Sequence, residues 1–201
     1  MSGGWKFKKE RFTEIVHDSP PVSLFWAEID QTTNSTRFMR NDDVLKSISY
    51  TLDLKKPDIA EICKLRGYEP TRQEMEAIFS DEKEEITKID GTVVEKDVSH
   101  ELTAHFLDGL IIHKRGRQKG KKPPPVELPV TNNTVLKKLR IAFTLREEDV
   151  IEILNSVGFS ISGSELSALF RSEDHRNFRP CGDQLLRYFL KGLADKYRNE
   201  E

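Results

Sequence analysis

The 201-residue chain is expected to be all-α, with two tandem pseudo-symmetric repeats of about four helices each, joined by a basic, proline-rich linker. Two observations lead there. The sequence repeats itself, and within each copy the apolar residues recur at helical spacing with no period-2 alternation between hairpin signals. Residues 41–46, Asn-Asp-Asp-Val-Leu-Lys, return at 132–137 as Asn-Asn-Thr-Val-Leu-Lys, an offset of 91. Held over 41–79, that offset keeps 12 of 39 positions identical without a gap. It then drops to 83, pairing Leu102, Phe106, Leu107, Gly109 and Leu110 with Leu185, Phe189, Leu190, Gly192 and Leu193. The first copy therefore carries a net insertion of 8 residues within the acidic stretch 81–97.

The elements follow in order. Val44, Leu45, Ile48 and Leu52 make one helical face, repeated by Val135, Leu136, Leu139 and Phe143. Asn41 or a neighbour can cap the start of the first of these helices, because its side chain can accept from a free backbone N–H. The second helices present Ile59, Ile62 and Cys63, or Val150, Ile153 and Leu154, and stop at Gly67 and Gly158. Glycine at that place is expected to be left-handed and to close the helix. Thr71 with Glu74, and Ser162 with Glu165, have the spacing of capping boxes that open the third helices. Those helices bury Met75, Ile78 and Phe79, or Leu166, Leu169 and Phe170. The fourth helices carry Leu102, Phe106 and Leu110, or Leu186, Phe189 and Leu193. Gly109 and Gly192 fall inside the fourth helices at equivalent positions. A mid-helix glycine costs about 1 kcal/mol relative to alanine, so its double occurrence predicts close helix–helix contact.

The domain boundaries expected from this pattern are repeat 1 at 39–116, linker at 117–130 and repeat 2 at 131–198. Residues 114–125 hold six basic residues and end in three prolines, so an exposed, stiffened connection is expected there. Residues 1–38 belong to neither copy and contain both tryptophans, Trp5 and Trp26. They are expected to be an extension outside the repeats, disordered or placed upstream of a true start at Met39.

Composition excludes several classes. No apolar run approaches the roughly 18–20 residues of a membrane helix, so no membrane association is expected. The start, MSGGWKFKKERF, has no apolar stretch and is not read as a secretory signal. Two cysteines, Cys63 and Cys181, cannot make a disulfide framework, and a reducing cytoplasm is the expected compartment. No phosphate-binding glycine loop, nucleophile elbow, catalytic carboxylate pair or cysteine-pair zinc motif is present. The chain is therefore expected not to be an enzyme and to need no cofactor or metal.

Four stretches carry a resemblance. They are Asn-Asp-Asp-Val-Leu-Lys-Ser-Ile at 41–48, Ala-His-Phe-Leu-Asp-Gly-Leu-Ile-Ile at 104–112, Glu-Leu-Ser-Ala-Leu-Phe-Arg at 165–171, and His-Arg-Asn-Phe-Arg-Pro-Cys-Gly-Asp-Gln-Leu-Leu-Arg at 175–187. The chain resembles the YehS-like bacterial proteins, a tandem repeat of a domain of unknown function, over about 39–198. The resemblance implies a bacterial, cytoplasmic, helical protein. It implies no established activity, so it carries over no catalytic residues.

The candidate sites follow from charge and from differences between the copies. The overall charge of −2 hides an acidic first repeat, with 9 basic and 17 acidic residues in 41–113, and a basic junction, with 6 basic and one acidic in 114–130. Lys114, Arg115, Arg117, Lys119, Lys121 and Lys122 are therefore candidate anion or nucleic-acid contacts, against the simpler reading of a solvated linker. His175, Arg176 and Arg179 occur only in the second copy and lead into its fourth helix, whose N-terminus can attract an anion. The competing reading has Asp183 capping that helix, Cys181 buried, and the arginines paired to acids of repeat 1. A distant further reading makes His175, Cys181 and Asp183 catalytic. The helix–turn–helix of each copy is weak as a base reader, because the second copy offers only Gly163, Ser164 and Ser167 at the helix start. Glu101, His105 and Asp108 share a helix face and could ligate a metal, but no second ligand-bearing segment accompanies them. The leading expectation is a protein-interaction or regulatory module whose partner is a protein or its own second copy. Nucleic-acid or anion binding is the alternative.

Overall fold

The computed structural model describes residues 39–80, 85–87, 89, 93–95, 97–117, 120 and 123–198. The expected extension at 1–38 and linker residues Lys119, Lys121 and Lys122 lie outside them. Thr33–Glu201 makes one compact unit, so both repeats belong to the same body. Repeat 1 contains α1 (Asn41–Thr51), α2 (Lys56–Lys64), α3 (Arg72–Phe79) and α4 (His100–Arg115). Repeat 2 contains α5 (Asn132–Ala142), α6 (Glu147–Ser156), α7 (Gly163–Leu169) and α8 (Asp183–Arg198). The fold is all-α in two tandem repeats, with one addition that the sequence pattern did not reveal. Between α3 and α4, β1 (Glu85–Thr87) and β2 (Val93–Glu95) pair antiparallel, Glu85 opposite Glu95 and Thr87 opposite Val93. Three residues per strand are too few for an alternation to register.

Local chemistry explains the helix ends. Thr71 Oγ1 accepts from Glu74 N at 3.2 Å, and the Glu74 carboxylate accepts from Thr71 N at 2.8 Å. Ser162 and Glu165 make the same pair of bonds at 3.3 and 3.1 Å. Gly67 and Gly158 take φ of +78° and +81°, and the next residue's N–H reaches back to Cys63 and Leu154 carbonyls at 3.3 and 2.9 Å. Only a residue without Cβ enters that region freely. Asn41 is not a cap. It sits buried in the first turn of α1, and Arg40 holds the cap position, its side chain bonded to Asp42 at 2.9 Å rather than capping. The cap comes from far along the chain: Asp97 Oδ2 accepts from Asn41 N at 2.9 Å and Oδ1 from Asp42 N at 3.1 Å.

The core joins Leu45, Ile48, Ile59, Ile62, Ile78, Leu102, Phe106 and Leu110 to Leu136, Leu139, Val150, Ile153, Leu166, Leu186, Phe189 and Leu193, all within 2% exposure. Burying each such side chain is worth about 1.5–3 kcal/mol. In each repeat the fourth helix lies against the second at its mid-helix glycine. A Cβ on Gly109 would strike the Ile62 carbonyl, whose carbon lies 2.8 Å away. A Cβ on Gly192 would strike the Ile153 carbonyl oxygen and meet Ile153 Cγ2 at 2.8 Å.

The first helices behave differently. α1 packs mainly on α8 and α5 mainly on α4, more extensively than either packs on the fourth helix of its own repeat. Each repeat thus completes its core with the other's fourth helix. The ends of the seam are stapled alike. Arg115 Nη1 donates to the Ile141 carbonyl at 3.3 Å, and Arg198 Nη1 donates to the Tyr50 carbonyl at 2.5 Å. The same offsets of 83 and 91 relate the two arginines and their two acceptors. Arg198 also stacks 4.0 Å over the Tyr50 ring.

Candidate functional site

The basic junction runs past the C-terminal ends of helices, where unpaired carbonyls and the negative dipole end attract cations. Arg117 Nη2 donates to the Leu65 carbonyl, just beyond α2, at 2.8 Å. Arg115 does the same at the end of α5. Lys114 Nζ stands 5.2 Å over the Phe143 ring, and although the residue as a whole is exposed, desolvation of its amine lowers its pKa. Arg140 Nε donates to the Leu145 carbonyl at 3.3 Å and stacks 4.5 Å over Phe170. The linker and the turn after α2 are joined by Arg66 Nη2, which donates to the Pro124 carbonyl at 2.6 Å. Lys137 and Lys138 approach Glu127 at 3.4 and 3.8 Å. The described cations are therefore held in place by the fold while Lys114, Arg115, Arg117, Lys137 and Arg146 remain exposed. A guanidinium has five N–H donors, so one bond to a carbonyl leaves others for a ligand.

The 175–183 segment is organised on itself. His175 Nδ1 accepts from Asn177 N at 3.1 Å, and Phe178 N donates to the His175 carbonyl at 2.7 Å. Arg179 N donates to the Ala168 carbonyl at 3.2 Å, its own carbonyl accepts from Asn133 Nδ2 at 3.0 Å, and its guanidinium is 3.9 Å from Glu165. That acid belongs to repeat 2, not repeat 1. Arg176 and His175 are exposed. Cys181 is 2% exposed, and burial pushes its thiol up to about 12, as it does for Cys63. Such a thiol is a core group rather than a nucleophile. The offset of 83 pairs Cys181 with Val98, also buried. Asp183 is the first residue of α8 rather than a cap, and its Oδ2 accepts from Arg187 Nε at 3.0 Å.

Glu101, His105 and Asp108 are not gathered as ligands. Asp108 turns to Lys138 at 2.7 Å and Arg66 at 3.2 Å, while His105 stacks on Tyr68 with ring centroids 4.9 Å apart. Tyr68 OH donates to Glu74 Oε1 at 2.5 Å. Burial pushes the Glu74 carboxyl up, but bonds from Tyr68 and Thr71 outweigh it and hold the group below the usual carboxylate range. Among the described residues no group of three His, Cys, Asp or Glu side chains is placed to hold a metal. In α3, Arg72 is bonded to Glu76 at 2.8 Å. No described helix is long and apolar enough to cross a membrane.

A polar seam that sequence reasoning missed lies at the N-terminal ends of the first helices. Asn41 Nδ2 donates to the Val98 carbonyl at 2.8 Å, and Asn132 Nδ2 donates to the Cys181 carbonyl at 3.1 Å. The repeat offsets relate both donors and both acceptors. Asn132 Oδ1 also accepts from Met39 N at 3.2 Å, and His100 Nδ1 from Val130 N at 3.2 Å, tying the two repeats together. Beside them Asp43 is pushed up to about 6, by burial first and then by Asp42, against the pull of Arg187, Arg40 and Lys46. Burial likewise raises Asp97. The repeated Asn at 41 and 132 was visible in the sequence; its burial was not.

Asp43 makes stability depend on pH. Between its ordinary value of 3.8 and about 6, the folded chain keeps a proton that the unfolded chain releases. Stability therefore falls as pH rises through that window, and the penalty is fully present above it. Because Asp43→Asn also gives up the approach to Arg187, the effect is read as a difference: the substitution is expected to be about 2 kcal/mol more favourable at pH 8 than at pH 4, by urea unfolding at both values. Equal effects at the two pH values would contradict the cause assigned here.

No solved structure matches the chain. The chain is similar to the uncharacterized protein YehS of Escherichia coli (strain K12), 40% identical over 156 residues, which are 78% of this chain and 95% of that protein. The family model described as "Protein of unknown function (DUF1456)" matches twice, at 41–116 and 132–199, one match on each helical repeat. Both the duplicated match and the long alignment place the chain in that family: it belongs to the DUF1456 proteins.

Proposed function

We propose that the protein is a non-enzymatic binding module whose partner is a polyanion, nucleic acid first, held along the junction between the repeats. One observation supports this most. Residues 114–146 contain ten basic residues and a single acid, Glu127. Lys and Arg placed along a phosphate backbone release condensed counterions, which supplies affinity without base recognition. The half-buried Phe143 ring, with Lys114 above it and the half-buried Tyr197 beside it at 4.7 Å, places aromatic surface next to these cations, a combination that single-stranded nucleic-acid sites use. A protein partner is the second reading. It is favoured by the hairpin insertion, which only the first copy has and which carries the fully exposed Ile89 within a stretch of seven acids and three bases at 81–97.

The polyanion reading is tested with full-length protein and a fluorescent DNA 20-mer. Binding is expected at about 50 mM salt, with log K falling linearly against log salt. Lys137→Gln with Arg146→Gln should reduce that slope by about one per cation removed. Absence of binding at the lowest salt, or a slope unchanged in the variant, would sink it and favour the protein partner.

A further inference from the structure

The two contacts between the repeats differ in charge. Where α4 meets α5, the acid is on the fourth helix and the base on the first: Asp108 Oδ1 lies 2.7 Å from Lys138 Nζ, with both side chains nearly buried. Where α8 meets α1, the order is reversed. Arg187, on the fourth helix, is held by Asp183 at 3.0 Å and approaches Asp43 on the first helix at 3.9 Å. The duplication shows what these residues would meet if a repeat paired with its own kind. At the offset of 83, Ala104 stands in place of Arg187 and Lys191 in place of Asp108; at 91, Ser47 stands in place of Lys138 and Thr134 in place of Asp43. Two first repeats would set Asp43 against Ala104 and Asp108 against Ser47. Two second repeats would set Lys138 against Lys191 and Arg187 against Thr134. Asp108 keeps Arg66 of its own repeat at 3.2 Å, and Arg187 keeps Asp183 at 3.0 Å, in any pairing; only repeat 1 with repeat 2 also sets an opposite charge across both contacts.

A buried ion pair gives little net stability, but removing one partner is severely destabilising, so such pairs select between arrangements. We propose that the α1–α8 and α4–α5 contacts form a charge-coded docking surface that accepts only the opposite kind of repeat. A second copy of this chain then joins the first only by reciprocal exchange, repeat 1 of each with repeat 2 of the other.

Full-length Asp108→Lys and Lys138→Asp test this. Each alone puts like charges together at one contact and is expected to lower the thermal midpoint by roughly 10 °C. The double variant in one chain should have a higher midpoint than Asp108→Lys alone, as a monomer, and stay below wild type because Asp108→Lys also sets a cation against Arg66. Equal amounts of the two single variants, unfolded and refolded together, should yield a dimer of twice the 23.2 kDa chain mass, since exchange satisfies both contacts in both halves. Wild type treated identically should remain monomeric, having no mismatch to relieve. A double variant no more stable than Asp108→Lys alone would overturn the charge code. A refolded mixture of monomers alone, each at its single-variant midpoint, would overturn the exchange.

Discussion

Gly109→Ala is expected to destabilise the protein by about 3 kcal/mol or more, and Gly192→Ala by a similar amount. Overpacking a core costs about 1–3 kcal/mol when side chains can move aside. Here the neighbour is the backbone of the second helix, which cannot move without displacing Ile62 or Ile153 from the core. The usual gain of about 1 kcal/mol from replacing a helical glycine is overwhelmed. Gly182→Ala is the control, because nothing lies within 4 Å of its added Cβ. Its effect in urea unfolding should stay within about 0.5 kcal/mol. If the three variants were alike, close approach of the helices would not be what holds glycine at 109 and 192.

The next largest effect is expected from Asn132→Ala. The Asn132 side chain is 2% exposed and joins three parts of the seam: the first turn of α5, the Met39 backbone ahead of α1, and the Cys181 carbonyl ahead of α8. Truncation leaves a buried donor and a buried acceptor without partners, at about 1–3 kcal/mol each. A loss of about 2–4 kcal/mol is expected, measured by denaturant unfolding with an unchanged m-value. Asn132→Asp is informative beside it. It preserves the acceptor for Met39 N but loses the donor to Cys181 and buries a charge, so it should do no better than alanine at neutral pH.

Much of the fold was legible in the sequence because its causes are local. The stop at Gly67 needs only a left-handed residue, and the start at Thr71 needs only a hydroxyl and a carboxylate three residues apart. The glycines at 109 and 192 could be read as contact points because the chain states them twice. The reciprocal use of the fourth helices was not legible. An internal offset relates α4 to α8, but says nothing of whether either returns to its own first helix or crosses to the other. The hairpin escaped notice because its strands are shorter than any alternation.

The candidate site was legible in part for the same reason. A run of cations such as Lys114 to Lys122 is plain in composition, but a backbone carbonyl waiting for Arg115 or Arg117 has no letter in the sequence. Glu101, His105 and Asp108 share a helix face, as their spacing requires. What faces Asp108 comes from α5 and the turn after α2, so it binds Lys138 and Arg66 instead of joining a ligand set. Asp183 matched a cap by its position before an apolar run. Its pairing to Arg187 follows from the i, i+4 spacing, the stronger demand of a buried guanidinium.

The two repeats share one core through exchanged fourth helices and so unfold as one. Calorimetry of Gly109→Ala tests it most directly, because the substitution touches repeat 1 alone. The expected result is one transition at a lower midpoint, with calorimetric and van't Hoff enthalpies equal, repeat 2 lost together with repeat 1. A second transition near the wild-type midpoint, belonging to an intact repeat 2, would contradict it.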